Sequence, residues 1–200
     1  MNIVCFGDSI THAAGFAEGD RWPTILQYKL NEWKSGKFKV YNRGKGGDTT
    51  VQGLDRFDTD VLPLLPSVVL IQFGFNDSNV RDWATFPRVS LDEYSRNLIE
   101  FHRMIIAKKG RPVFIVNHRI ARVAFVQGNR KSYNTNFKPY NPALKEVAKK
   151  MKALIIDLPA IMTKRKIDLK KFVIEDGLHL SEKGNHIYAD MVFEALKKIL

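Results

Sequence analysis

The chain of 200 residues contains a single cysteine, Cys5, which excludes an internal disulfide framework and a zinc site built from cysteines. Long hydrophobic runs are also missing. The first apolar run, residues 3–6, is too short for a membrane span or for the apolar core of a signal peptide. We therefore expect a cytoplasmic protein without a membrane span. Internal repeats, low-complexity tracts and linkers are absent as well, so residues 1–200 are predicted to form one domain.

Acidic residues are scarce in the second half of the chain. The first hundred residues carry 11 basic and 13 acidic side chains, whereas the second hundred carry 21 and 8. A non-catalytic binder of an anionic polymer is therefore one hypothesis for this basic half. Lysines such as Lys145, Lys149 and Lys152 are, however, spread along amphipathic helical patterns, which is typical of a solvated helix face. The chain has no recognised nucleic-acid motif, and we expect no nucleic-acid partner.

Apolar runs rich in β-forming residues alternate with helical patterns along the chain. These runs occupy residues 2–6, 38–42, 67–73, 112–117 and 153–158. They show little polar alternation, which indicates strands of a parallel sheet that is covered on both faces. Helices are predicted near residues 23–34, after a capping box from Ser90 to Glu93, near residues 142–151, and from Ser181 onwards.

This alternation predicts an α/β fold, a three-layer α/β/α sandwich with about five parallel strands. Two segments are harder to interpret. Residues 54–66 suggest one short helix, and residues 118–140 have no convincing period. We expect the second segment to be a long functional loop.

Four polar clusters follow the predicted strands. They are Gly-Asp-Ser at 7–9, Gly-Gly-Asp-Thr at 46–49, Gly-Phe-Asn-Asp at 74–77 and Asp-Gly-Leu-His at 176–179. Open parallel sheets bind ligands at the carboxyl ends of their strands, so we expect all four clusters to meet at one edge of the sheet.

The residue types in these clusters match the needs of acyl transfer. Ser9 is the candidate nucleophile, His179 its base, and Asp176 the carboxylate that orients the imidazole. Attack on an ester carbonyl creates an oxyanion, which needs hydrogen-bond donors. The Ser9 amide, the Gly47 amide and the Asn76 side chain are the candidate oxyanion hole. A metallophosphoesterase that uses the same acids as metal ligands is less consistent with so few histidines, and we expect no metal and no cofactor.

The motifs GDSIT at 7–11, GGDTT at 46–50, GFND at 74–77 and DGLH at 176–179 resemble those of the SGNH hydrolases, also called the GDSL esterase/lipase family. The resemblance covers nearly the whole chain. It implies a flavodoxin-like sandwich and metal-independent hydrolysis of a small-molecule or oligosaccharide ester through an acyl-enzyme. It assigns the catalytic triad to Ser9, Asp176 and His179, and the oxyanion hole to Ser9, Gly47 and Asn76.

The segment from 117 to 145 is loosely similar to the rhamnogalacturonan acetylesterase branch of that family. This similarity favours short-chain O-acetyl esters of a sugar or glycoside as substrates. A lysophospholipase or thioesterase activity is the alternative within the family. Many members carry a proline-rich stretch where this chain has His118, at the end of the fourth predicted strand. His118 is therefore a further candidate for contact with substrate.

Overall fold

A computed structural model describes residues 1–123 and 125–200. Five parallel strands form one sheet in the order β2-β1-β3-β4-β5, which is the flavodoxin-like order. The strands are β1 (Asn2–Gly7), β2 (Lys39–Gly44), β3 (Val68–Gln72), β4 (Arg111–Val116) and β5 (Leu154–Asp157). All five predicted strands are confirmed, and so is the α/β/α sandwich, since helices cover both sides of the sheet.

The helices of the described residues are α1 (Ser9–His12), α2 (Trp22–Trp33), α3 (Thr50–Asp55), α4 (Phe57–Asp60), α5 (Leu91–Ala107), α6 (Tyr133–Phe137), α7 (Tyr140–Met151), α8 (Leu158–Lys164), α9 (Leu169–Phe172) and α10 (Glu182–Leu196). Helix α2 packs on α10, and α5 packs on α3 and α7. No helix in the described ranges combines the length and the apolar character needed to cross a membrane.

Short helices account for the differences from the sequence predictions. Residues 54–66 form the end of α3, α4 and a 3₁₀ turn at Leu62–Leu64, and not one helix. The predicted loop at 118–140 contains α6, which the Ser132 hydroxyl caps by accepting a hydrogen bond from the Thr135 amide at 3.2 Å. Its buried Tyr133 and Phe137 lie four residues apart, and one such pair is too short a pattern to establish a helical period.

The strand register brings the site loops together. Gly7, the last residue of β1, lies opposite Gly44 of β2 and Gln72 of β3. Because β1 is flanked by these two strands, the loops that follow all three strands leave the sheet side by side. Beneath them, the Phe6 ring packs edge-on against aromatic rings of the core, including Phe73 at 5.2 Å between centroids.

Candidate active site

Ser9, His179 and Asp176 form a continuous chain of hydrogen bonds. Ser9 is the first residue of α1, and only Asp8 separates it from the end of β1. Its Oγ lies 2.9 Å from Nε2 of His179. The Nδ1 atom of His179 lies 2.6 Å from Oδ2 of Asp176. The structure therefore brings together a hydroxyl, an imidazole and a carboxylate in the order that a general-base-activated nucleophile requires.

The carboxylate of Asp176 is held by the turn that it begins. Its Oδ1 accepts hydrogen bonds from the backbone amides of Leu178 at 2.8 Å and His179 at 2.9 Å. Burial raises the pKa of Asp176, but the hydrogen bonds from these amides and from the His179 ring lower it, and the net pKa lies below its usual value. Asp176 therefore remains ionised and keeps the Nδ1 proton of His179 in place.

The candidate oxyanion hole comprises two backbone amides and one side chain. Within residues 1–123 and 125–200, the Ser9 and Gly47 amides donate to no protein acceptor. The Asn76 Nδ2 atom donates to the Asp48 carbonyl at 3.0 Å, which leaves its second hydrogen available. Gly47 has a φ of 81°, a conformation that side chains with a Cβ rarely adopt. The turn that presents its amide thus requires glycine.

Two arginines that the sequence reasoning missed support this edge of the sheet. Arg56 donates to the Gly7 carbonyl at 2.9 Å and forms an ion pair with Asp48 at 2.6 Å. Arg88 donates to the Gly47 carbonyl at 2.8 Å. Arg56, at the end of α3, thus ties the end of β1 to the helical layer, whereas Arg88 ties the Gly47 turn to the segment that precedes α5.

Two of the buried acids of the motifs have raised pKa values. Removal from water raises the pKa of Asp8 to about 7 and that of Asp77 to about 6. The Oδ1 atom of Asp8 accepts a hydrogen bond from the Ile10 amide at 2.9 Å, and Oδ1 of Asp77 accepts one from the Thr50 amide at the same distance. Both side chains therefore act on neighbouring backbone, away from solvent.

Two cavities adjoin the imidazole of His179. One has a volume of about 340 Å³ and reaches Ser9 and Gly46. The other, of about 200 Å³, is bordered by Asn76 and by Phe125 and Tyr133 of the segment predicted as a functional loop. The imidazole thus borders both cavities, and the Ser9 hydroxyl borders the first, which provides space for a substrate beside the nucleophile.

His118 does not take the position expected of a substrate contact. Its side chain is 1% exposed and borders neither cavity, and its Nε2 lies 2.9 Å from the Leu178 carbonyl. The end of β4 directs the ring into the core beneath the catalytic turn, and this burial corrects the expectation. Among the described residues, no three histidine, cysteine or acidic side chains are placed to hold a metal ion.

Comparisons with known proteins identify the family of the chain. The sequence model of the GDSL-like lipase/acylhydrolase family matches residues 5–187. The isoamyl acetate-hydrolyzing esterase 1 homolog of Rattus norvegicus is 31% identical, over 92% of this chain and 76% of the relative. An acetylxylan esterase of Xylanibacter ruminicola is 28% identical, over 98% of this chain but only 43% of the relative.

Solved structures give the same answer at the level of the fold. The crystal structure of the lipase/acylhydrolase from Enterococcus faecalis has a TM-score of 0.80 and 27% identity, covering 100% of this chain and 96% of the other. Family match, sequence relative and fold thus agree over nearly the whole length. The chain belongs to the GDSL-like lipase/acylhydrolase family, and it is a carboxylic ester hydrolase.

Proposed function

We propose that this esterase removes short acyl groups, above all acetyl groups, from the hydroxyls of a sugar or glycoside, through an acyl-enzyme on Ser9. The observation that carries the proposal is the hydrogen-bonded chain from Ser9 through His179 to Asp176, with distances of 2.9 and 2.6 Å. This chain needs no rearrangement to activate the hydroxyl, because the Nε2 atom of His179 already faces Oγ.

The reaction proceeds in two steps. In the first, His179 Nε2 takes the Ser9 proton while Oγ attacks the ester carbonyl, and the Ser9 and Gly47 amides together with Asn76 Nδ2 stabilise the oxyanion. The intermediate then collapses, His179 returns the proton to the leaving alcohol, and the acyl group stays on Ser9. In the second step, His179 deprotonates a water molecule, which attacks the acyl-enzyme carbonyl. As the bond between this carbonyl and Oγ breaks, His179 returns the proton to Ser9 Oγ, and the acid leaves.

The names of two relatives support acetyl esters as the substrate class, since one refers to isoamyl acetate and the other to acetylxylan. These names differ in the alcohol. The wall of the 340 Å³ cavity is largely apolar, with Ile10, Phe16 and Ile174 among its residues. This lining favours a second candidate, the acetyl ester of an apolar alcohol, because apolar side chains offer no partners to sugar hydroxyls.

A panel of esters tests the acyl preference first. We expect kcat/KM for p-nitrophenyl acetate to exceed that for the octanoate by ~10-fold or more, since an acyl site shaped for an acetyl group excludes the longer chain. A preference for octanoate or for a long-chain acyl-CoA would instead identify a lipase or thioesterase. Isoamyl acetate and an O-acetylated methyl xyloside, compared at the same acyl group, then separate the two alcohol classes.

The nucleophile is tested by Ser9→Ala. We expect a loss of activity of ~10³-fold or more with unchanged folding, because only the hydroxyl is removed. Ser95→Ala is the matched control, since the Ser95 hydroxyl donates to the Leu91 carbonyl within α5 and does not border either cavity. Full activity of pure Ser9→Ala would refute the assignment.

A further inference from the structure

The turn that carries His179 is held from below by the segment that follows β4. The Ala121 amide donates to the Gly177 carbonyl at 2.8 Å, and His118 Nε2 lies 2.9 Å from the Leu178 carbonyl. Within the turn, the Ile174 amide donates to the His179 carbonyl at 2.9 Å. Two consecutive carbonyls of the turn, those of Gly177 and Leu178, are therefore contacted by the segment that follows β4. A backbone amide contacts the first carbonyl, and the His118 side chain contacts the second.

The surroundings of His118 settle which ring nitrogen carries the proton. The ring packs among aromatic rings, with centroids 5.0 Å from Phe75, 5.3 Å from Phe172 and 6.2 Å from Tyr188. Burial lowers the pKa of His118 to about 4, so the ring is neutral near pH 7. A carbonyl oxygen only accepts hydrogen bonds, so the single proton lies on Nε2, and Nδ1 is left without a partner among the described residues.

The contact acts on one peptide group in particular. The Leu178 carbonyl and the His179 amide belong to the same planar peptide unit. The carbonyl end accepts from His118 at 2.9 Å, and the amide end donates to Asp176 Oδ1 at 2.9 Å. The plane from which the His179 side chain starts is thus fixed at both ends.

We propose that His118 is a positioning residue of the active site, which fixes the Leu178–His179 peptide plane and so aims the His179 imidazole at Ser9. This inference rests on the proposed function of the triad. His118, which follows β4, would then have a role in the reaction although its side chain borders neither cavity. A ring present only for packing needs no donor at this position, and phenylalanine would serve as well.

The test compares two substitutions at this position. His118→Phe keeps a ring but removes the donor, and we expect kcat to fall ~10- to 100-fold with little change in KM, because a small misplacement of a catalytic group is costly. His118→Gln places an amide donor near the position of Nε2, and we expect it to recover most of kcat. Tyr188→Phe is the matched control, since it alters a neighbouring buried ring whose hydroxyl has no hydrogen-bond partner among the described residues, and it should keep wild-type kcat.

A spectroscopic readout separates this inference from the proposed function. The His179 proton that is shared with Asp176 should give a low-field NMR signal in the wild type and in His118→Gln, and a shifted or exchange-broadened signal in His118→Phe. This signal is measurable even if no tested ester is hydrolysed. A lack of hydrolysis would count against the proposed function but not against the role of His118. The inference is overturned if folded His118→Phe keeps both wild-type kcat and the signal, or if His118→Gln loses as much as His118→Phe. If His118→Phe does not fold, His118→Asn, whose amide is too short to reach, replaces it in the same comparison.

Discussion

Replacing Asp8 with asparagine should change the free energy of unfolding by an amount that depends strongly on pH. Burial raises the pKa of this carboxyl from 3.8 to about 7. At pH values between these two pKa values, the folded state binds more protons than the unfolded state, so the contribution of Asp8 to stability decreases as pH rises. The pKa of Asp8 differs by about 3 between the folded and unfolded states, which corresponds to about 4 kcal/mol. The free energy of unfolding is therefore lower by about this amount at pH 8, where the buried carboxyl is ionised.

The substitution removes that cost but introduces another. The asparagine side chain keeps an oxygen for the Ile10 amide, while its NH₂ group replaces Oδ2, which has no partner among the described residues. An unsatisfied buried amide costs about 1–3 kcal/mol. We therefore expect Asp8→Asn to stabilise the protein by about 1–3 kcal/mol at pH 8 and to be neutral or destabilising at pH 4.5, where most of the carboxyl is already protonated in the folded state.

Urea unfolding at pH 4.5, 6 and 8 measures this difference. The ΔΔG of Asp8→Asn is expected to change by about 3 kcal/mol between pH 4.5 and pH 8. Repulsion from Asp77 also raises the pKa of Asp8, so it adds to this dependence on pH. Asp55→Asn, at an exposed position, serves as the control and should show a far smaller dependence on pH. A ΔΔG for Asp8→Asn that is the same at pH 4.5 and pH 8 would refute the reasoning.

Three further substitutions test the rest of the site. Asn76→Ala should lower kcat by ~10²–10³-fold with little effect on KM in steady-state assays, because it removes a donor to the oxyanion; an equal rise in KM would instead indicate a role in ground-state binding. Asp176→Asn should lower kcat by about 10²–10⁴-fold while the melting temperature changes little, since the amide keeps an oxygen for the turn; wild-type kcat would contradict the triad. Arg56→Met should destabilise the protein by about 3–5 kcal/mol in urea unfolding, because it leaves the buried Asp48 carboxylate and the Gly7 carbonyl without their partner; an unchanged unfolding midpoint would show that the ion pair is dispensable.

The meeting of Ser9 and His179 could be predicted although 170 positions separate them. Parallel strands place their carboxyl ends at one edge of the sheet, so polar residues that closely follow these strands lie near one another at that edge. Each motif follows a strand or, for Asp176 to His179, precedes the last helix. This geometric constraint, together with the chemistry of the side chains, was sufficient to identify the hydrogen-bonded chain.

The supporting residues could not be predicted in this way. Arg56 and Arg88 donate to the carbonyls of Gly7 and Gly47, and every residue has a carbonyl, so the sequence contains no pattern that pairs them. The direction of the His118 side chain could not be predicted either. Its position at the end of a strand indicated the correct edge of the sheet, but the direction of its side chain depends on how the chain turns after β4, which periodicity does not determine.

One acid stands in each of the four motifs, and exposure separates their roles. Asp8, Asp48 and Asp77 are at most 5% exposed, and each binds a neighbouring loop or helix: the Ile10 amide, Arg56 and the Thr50 amide, respectively. The side chain of Asp176 is 42% exposed and contacts the imidazole. Three acids thus hold the loops in register, whereas the fourth, more exposed acid contacts the imidazole, and its hydrogen bonds keep its pKa below the usual value. The strong pH dependence expected for Asp8→Asn follows from this division, because the positioning acids are buried and the catalytic acid is not.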